Sequence, residues 1–272
     1  MGDTVTVRSA RSTEGEALVS SVNAPRREPA DVLLDKLAAI RLKVSCEAPL
    51  AGTDIADPGI MDWQGEATLS IRPGDDESSA GWWTHANAAL SAEDIGSGGL
   101  KFQVLRATGL VVDLWSVQDV FTALKARNQD YAEFLPLFGG RGSFGQLTLA
   151  EELDDMLEPG GGRVVIMSRV LLAPAWHGLR GIGSLLVARL LRWLTDDARV
   201  VALRRFPAEP NEQDADIPEI HGPAMNQAQH IWRSLAFEPF TDQVWIMDPR
   251  MSAHHQAVQS LAGQLGLTQP DR

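Results

Sequence analysis

The feature that most constrains the fold is an apolar run that passes through three closely spaced glycines into an amphipathic pattern. The run RVVIMSRVLLAP (163–174) predicts a buried central strand. Glycines at 178, 181 and 183 predict a turn, and SLLVARLLRWL (184–194) predicts a helix that packs on a sheet. A strand, a turn and a helix in direct succession favour an α/β or α+β domain over an all-β one.

The rest of the chain alternates in the same manner. Strands are predicted where apolar residues alternate, at 40–44, 66–73, 100–115, 198–206 and 242–249, the third as one strand or two joined at Gly109. Helices are predicted at 117–138 with Ser116 as N-cap, at 147–159, at 222–237 and, as a short one, in the tail after Pro249. The fold class is therefore a mixed central sheet flanked by helices.

The chain divides into four regions. Residues 1–29 are polar and aperiodic, and we expect a disordered tail there. Residues 30–99 form a strand-containing region that we expect to belong to the same domain as 100–250, and 251–272 form a C-terminal tail. The adjacent Trp82 and Trp83 favour a place in the core over one in a substrate cleft.

Charge and composition exclude several classes of partner. The formal net charge of -12 disfavours nucleic acid and favours a cationic small molecule. The single cysteine, Cys46, excludes an internal disulfide framework and a cysteine-built metal site. The beginning of the chain has no signal-peptide pattern, and no window is long and apolar enough to span a bilayer. We therefore expect a cytoplasmic protein with no membrane partner and no metal.

The glycine turn is a candidate phosphate-binding site, because unpaired N–H groups and the positive end of the dipole meet at a helix start. Its GLRGIGS sequence (178–184) lacks the lysine of a P-loop. Its glycine order is G-x-x-G-x-G, whereas a dinucleotide-binding turn requires G-x-G-x-x-G. The order resembles motif A of the GNAT superfamily of N-acetyltransferases, written Q/R-x-x-G-x-G/A.

A second motif follows downstream. The stretch AQHIWRSLAFEPF (228–240) resembles the motif B helix of the same superfamily, A-x-x-x-Y-x-x-x-G-F, with Ala228, Trp232, Ala236 and Phe237 at matching positions. The resemblance covers about 163–248, and the superfamily's first helices correspond to 116–138. It implies a fold of the acyl-CoA N-acyltransferase type that carries an N-terminal extension.

The resemblance implies acetyl-CoA as cosubstrate. Its pyrophosphate would lie on the glycine turn and its pantetheine arm along the end of the preceding strand. The implied binding residues are Val170, Leu171, Leu172, His177, Gly178, Leu179, Arg180, Gly181, Ile182, Gly183 and Ser184. Gly178 departs from the motif, whose first position is Gln or Arg, and Arg180 or His177 supplies the basic side chain instead.

Catalytic residues are not assigned. The motif B tyrosine is replaced by Trp232, whose indole cannot act as a general acid. The single tyrosine, Tyr131, lies on another predicted helix, and His221 and Ser234 are substitutes by chemistry alone. Two acidic groups offer bases or merely solvated surface: a proline-rich loop with Glu209, Glu212, Asp214, Asp216 and Glu219, and a helix face with Glu151, Glu152, Asp154 and Asp155.

Three hypotheses follow. The first is an N-acetyltransferase that acts on a primary amine of a small molecule or a peptide by direct attack. The second is a non-catalytic acyl-CoA-binding or regulatory protein, which the replacement of tyrosine by Trp232 favours. The third is a structural protein in which the glycines serve only as a turn.

Overall fold

The computed structural model describes residues 37, 39–47, 57–71, 89–96, 99–127, 129–177, 179, 181–204 and 223–267. Several predictions lie outside these residues. They concern the tail 1–29, the Trp82–Trp83 pair, Gly178, Arg180, His221 and the loop with Glu209, Glu212, Asp214, Asp216 and Glu219.

Ten strands and six helices occur in the described part of the chain. The strands are β1 Arg41–Glu47, β2 Ile60–Ile71, β3 Ser91–Asp94, β4 Leu100–Asp113, β5 Phe138–Arg141, β6 Leu147–Leu149, β7 Arg163–Leu172, β8 Ala198–Arg204, β9 Glu238–Pro239 and β10 Val244–Met247. The helices are α1 Val120–Arg127, α2 Gln129–Ala132, α3 Glu151–Asp154, α4 Ile182–Leu194, α5 Pro223–Ser234 and α6 Ser252–Gln264. Short 3-10 turns lie at Leu135–Leu137 and Pro174–Trp176.

Eight of the described strands form one mixed sheet. Its order is β1-β2-β4-β7-β8-β10-β9, with β3 beside the start of β4, and β5 and β6 form a separate hairpin. Only β7 and β8 pair in parallel; the other described pairs are antiparallel. The predicted mixed central sheet with helices is confirmed, and β1 to β3 belong to the same sheet as the later strands.

Each face of the sheet carries its own buried cluster. On one face α4 and α6 pack through Leu185, Leu191 and Leu261. On the other face α1 and the β5–β6 hairpin pack through Leu124 and Leu149. The C-terminal helix, for which the sequence indicates no packing partner, thus completes the core beside α4.

The helix predicted over 117–138 is wrong in its extent and in its cap. It divides into α1, α2 and a 3-10 turn, and Asp119 rather than Ser116 accepts the first side-chain bond, from the Thr122 N–H at 3.0 Å. This bond lowers the pKa of the Asp119 carboxyl. Asp57, a residue distant in sequence, accepts the N–H groups of Gln118 and Asp119 at 2.8 and 2.7 Å. A long-range capping contact of this kind is invisible to local periodicity.

The helix predicted over 147–159 is also wrong in its extent. Leu147–Leu149 forms β6, whose Leu149 pairs with Phe138, and only the single turn α3 is helical. The alternation of Leu147 and Leu149 with Thr148 buries two side chains of the hairpin, which wins over helical spacing. Strand β2 begins at Ile60, well before the predicted start at 66, because Trp63 and Gly65 extend the core-facing alternation past two polar residues.

Candidate functional site

The described pairing of the parallel strands β7 and β8 ends in the centre of the sheet, where the residues after Arg204 lie outside the described part of the chain. The pairing runs from Arg163 opposite Ala198 to Met167 opposite Leu203. Strand β7 continues for five more residues, to Leu172, where only β4 pairs with it among the described strands. These five residues are half-buried. One edge of the β7 backbone is therefore left without a described strand partner just before the glycine turn.

A bulge in β7 lies where its described pairing with β8 ends. The register against β4 shifts between Thr108 and Gly109, so that Ser168 has no partner of its own. The indole N–H of Trp63 crosses Gly109 and donates to the carbonyl of Ile166 at 3.1 Å in the buried interior. A β-carbon on Gly109 would lie 1.9 Å from that carbonyl oxygen. Glycine at position 109 is thus required for the bulge.

The short helix α2 and the residue after it bind both strands at this point. On the β7 side, the Tyr131 hydroxyl donates to Oγ of Ser168 at 3.0 Å, and Ser168 Oγ donates to the carbonyl of Thr108 at 3.0 Å. On the β8 side, Nη2 of Arg204 donates to Oε1 of Glu133 at 2.6 Å, and its Nη1 lies 2.9 Å from Oδ1 of Asp130. These contacts bind α2 and Glu133 to Ser168 on β7 and to Arg204 on β8.

Tyr131 is the titratable group nearest the bulge that carries a shifted pKa. Burial is the main cause and raises the pKa of its hydroxyl, while the hydrogen bond to Ser168 opposes this effect. The ring packs against Phe134, with centroids 6.4 Å apart. Tyr131 therefore remains protonated through neutral pH and holds a proton beside Ser168 of β7.

The segment between β7 and α4 is anchored by a buried tryptophan. Trp176 is 1% exposed, and the ring Nε2 of His177 donates to the carbonyl of Leu172 at 2.9 Å. Gly181 adopts a left-handed conformation with φ of +82° and precedes α4. A β-carbon on Gly183 would lie 2.9 Å from Cδ2 of Leu172. The helix start therefore packs closely on the end of β7.

The structure brings nine of the eleven implied cofactor residues into one continuous segment. Val170, Leu171 and Leu172 end β7, His177 and Leu179 follow in the turn, and the last four open α4. Ile182 and Ser184 are each 3% exposed, so their side chains are not available to a ligand. Trp63, Trp176 and Ser168 carry no motif in the sequence, and only the fold reveals their role.

The other candidate residues lie elsewhere. Trp232 contacts Phe237 edge to face, with centroids 5.9 Å apart, and packs against the core. The Ser234 hydroxyl donates to the carbonyl of Ile231 in its own helix at 2.7 Å. The side chains of Glu151, Glu152, Asp154 and Asp155 are exposed. Asp154 binds Arg199 on β8 at 2.5 Å, far along the strand from the bulge.

The described residues contain neither a metal-binding cluster nor a membrane-spanning helix. Among the described residues, no three His, Cys, Asp or Glu side chains converge as a metal site. Within the same part of the chain, no helix is both long enough and apolar enough to cross a membrane. No family model, no curated protein and no solved structure matches the chain.

Proposed function

We propose that this protein is an acetyl-CoA-dependent N-acetyltransferase with a fold of the acyl-CoA N-acyltransferase type, acting on a primary amine. The observation that carries the proposal is the end of β7 after Met167, which among the described strands pairs only with β4 and leads into the glycine turn. It places this strand end, the start of α4 and the hydroxyl of Tyr131 around one region of the sheet.

The residues present fit acetyl-CoA at both ends of this segment. The backbone N–H and C=O groups of Val170 point away from β4 and are suited to an amide of a pantetheine arm. At the start of α4 the N–H of Ile182 already donates to the carbonyl of Leu179 at 2.9 Å, so the N–H groups of the half-buried Gly181 and Gly183 are the ones suited to a pyrophosphate. Acetyl-CoA, when bound, supplies an acetyl thioester that an amine can attack.

Tyr131 is the residue that we propose as proton donor to the departing thiolate. Its raised pKa keeps the hydroxyl protonated, and Ser168 fixes the position of that hydroxyl. Trp232, at the position where the resemblance expects a tyrosine, packs in the core. The proton donor therefore comes from α2 instead of α5.

The test combines cofactor binding with acetyl transfer. Coenzyme A and acetyl-CoA should raise the melting temperature of the full chain, and radiolabelled acetyl-CoA should label a member of an amine panel. Gly183→Ala should reduce the stabilisation by coenzyme A, because its β-carbon displaces Leu172 at the start of α4. The matched control is Gly263→Ala, whose β-carbon meets nothing within 4 Å. A chain that coenzyme A does not stabilise contradicts the proposal.

One observation favours a non-catalytic acyl-CoA-binding protein as the second candidate. The core packing of Trp232 removes the usual donor, and the Tyr131 proton points at Ser168 in this structure. That candidate predicts stabilisation by coenzyme A with no labelling of any amine in the panel. Labelling of even one amine that depends on Tyr131 excludes it.

A further inference from the structure

The face of the sheet that carries Tyr131 is only half covered by described elements. Residues directly opposite each other in a ladder share a face, so the register places Lys43, Glu66 and Arg106 in one row that ends at Leu171 on β7. The next row is Ser45, Gln64 and Thr108, which ends at Arg169.

These rows are polar, and the next row along the same face combines the exposed Glu47 and Asp62 with the buried Leu110. Lys43, Ser45 and Arg106 are exposed, and Glu66 and Gln64 are half-exposed. The following row contains Leu110 and Ile166, which belong to the buried cluster under α1. The boundary between the open and the covered half therefore lies at Thr108 and Ser168, where Tyr131 is bound.

The two rows of the open half carry more positive than negative charges, whereas the chain as a whole is acidic. Glu47 and Asp62 follow in the next row, where Asp62 binds Arg127. Lys43 and Arg106 flank Glu66, whose Oε1 already accepts a hydrogen bond from Gln64 at 2.7 Å. Neither cation forms an ion pair within the part of the chain that the structure describes. Since the chain as a whole has a net charge of -12, an anionic ligand gains attraction on this face that the overall charge opposes.

The spacing of the cations indicates the size of the ligand. Lys43 and Arg106 are two strands apart, which is about 10 Å at about 4.8 Å per strand. Ser168 lies three residues before Leu171, the partner of Arg106, and therefore about 10 Å along β7 from that row. An extended peptide covers about 10 Å in three residues. A small amine reaches one of these points, whereas a peptide of four to eight residues reaches all three.

We propose that this open half-face binds the N-terminal segment of an acidic peptide, with its amine at Ser168 and Tyr131 and its carboxylates at Arg106 and Lys43. The inference rests on the proposed acetyltransferase function and names its acceptor class. It replaces the cationic acceptor that the overall charge suggests, because the local charge at this face has the opposite sign.

The test uses two synthetic octapeptides with free N-termini, SADEADEA and its neutral counterpart SANQANQA, each with a fluorophore at the C-terminus. Anisotropy titration of the full chain should show at least tenfold tighter binding of the acidic peptide, and this difference should shrink at high salt. Lys43→Gln and Arg106→Gln should each weaken its binding about threefold to tenfold. Glu66→Gln should tighten binding, a gain that misfolding cannot produce.

The control variant is Arg192→Gln, which removes one positive charge from an exposed position on α4 and should leave binding unchanged. Equal binding of the two peptides overturns the inference, and so does tighter binding of a single-stranded oligonucleotide than of SADEADEA. Because the titration needs no turnover, charge-dependent binding without acetylation contradicts only the proposed function. Acetylation of both peptides with equal KM contradicts only the inference.

Discussion

The hydroxyl of Tyr131 donates a hydrogen bond to Oγ of Ser168, 3.0 Å away, at the first residue of β7 beyond its described pairing with β8. Ser168 Oγ in turn donates to the carbonyl of Thr108 on the neighbouring strand. Because Asp130 and Glu133 bind Arg204 of β8, α2 and the residue after it contact both strands at this point. The only tyrosine of the chain thus lies beside the strand edge proposed to bind the pantetheine arm.

Tyr131→Phe should lower kcat about 100-fold, because it removes the proposed proton donor and keeps the ring. Coenzyme A should stabilise the variant as it stabilises the parent chain. The raised pKa of Tyr131 places the loss of activity that ionisation of its hydroxyl causes at alkaline pH, and this alkaline limb should disappear in the variant. Ser234→Ala is the control, since that hydroxyl only caps its own helix. An unchanged kcat in Tyr131→Phe excludes the role.

Trp63→Phe should destabilise the fold by about 1–3 kcal/mol, because the buried carbonyl of Ile166 loses its donor. The variant is measured by urea unfolding followed by circular dichroism. Trp193→Phe is the matched control, since Trp193 is 56% exposed and its replacement should change the free energy of unfolding by less than about 0.5 kcal/mol. Equal effects of the two substitutions would show that the Trp63 hydrogen bond does not contribute to the free energy of unfolding.

The sequence predicts local elements well and their long-range contacts poorly. Strand β7 and helix α4 follow from the apolar run at 163–174 and the helical spacing from 184 to 194. The strand ends at Leu172 and the helix begins at Ile182, each within two residues of the predicted bound. The bulge at Ser168 depends on Trp63, which lies 103 residues before Ile166 in the chain, and no periodicity encodes such a pair.

The same distinction applies to the candidate site. The glycine turn has a recognisable spacing, so the sequence predicts a turn between β7 and α4, and cofactor binding by its residues stays a prediction. The placement of Tyr131 beside Ser168 depends on how α2 crosses the sheet, which is a tertiary property. The open half-face proposed to bind an acidic peptide depends on the strand register. Lys43 and Arg106 share a row only when β1, β2 and β4 are aligned.

Gly109→Ala should be among the most destabilising single-methyl additions in this chain. The new β-carbon would lie 1.9 Å from the carbonyl oxygen of Ile166 and 2.8 Å from the indole nitrogen of Trp63. Since neither the central strand nor the buried indole can move freely, we expect a loss of about 3 kcal/mol or more. Gly140→Ala, which meets nothing within 4 Å, should be close to neutral in the same urea titration. Folding of Gly109→Ala with parent stability would contradict the bulge geometry.

Replacement of His254 should remove a pH dependence of stability. Its Nδ1–H donates to the carbonyl of Leu235 at 3.0 Å, and burial lowers the pKa of the imidazole below 6.5. Protons therefore bind the unfolded chain first as the pH falls. The neutral imidazole of His254 contributes its full stability above pH 6.5. This stability is lost as the pH falls from there through the lowered pKa of the folded state.

The variant His254→Asn keeps a donor near the Nδ1 position and cannot titrate, so its urea midpoint should depend less on pH between about 5 and 8 than that of the parent chain. The control is His255→Asn, which alters the neighbouring exposed ring and should retain most of the parent's dependence. An identical pH slope in His254→Asn and the parent would show that another group carries the loss. Helix α6, which carries His254, packs on α4 through Leu261. Protonation of His254 at low pH should therefore also reduce the rise in melting temperature that coenzyme A causes.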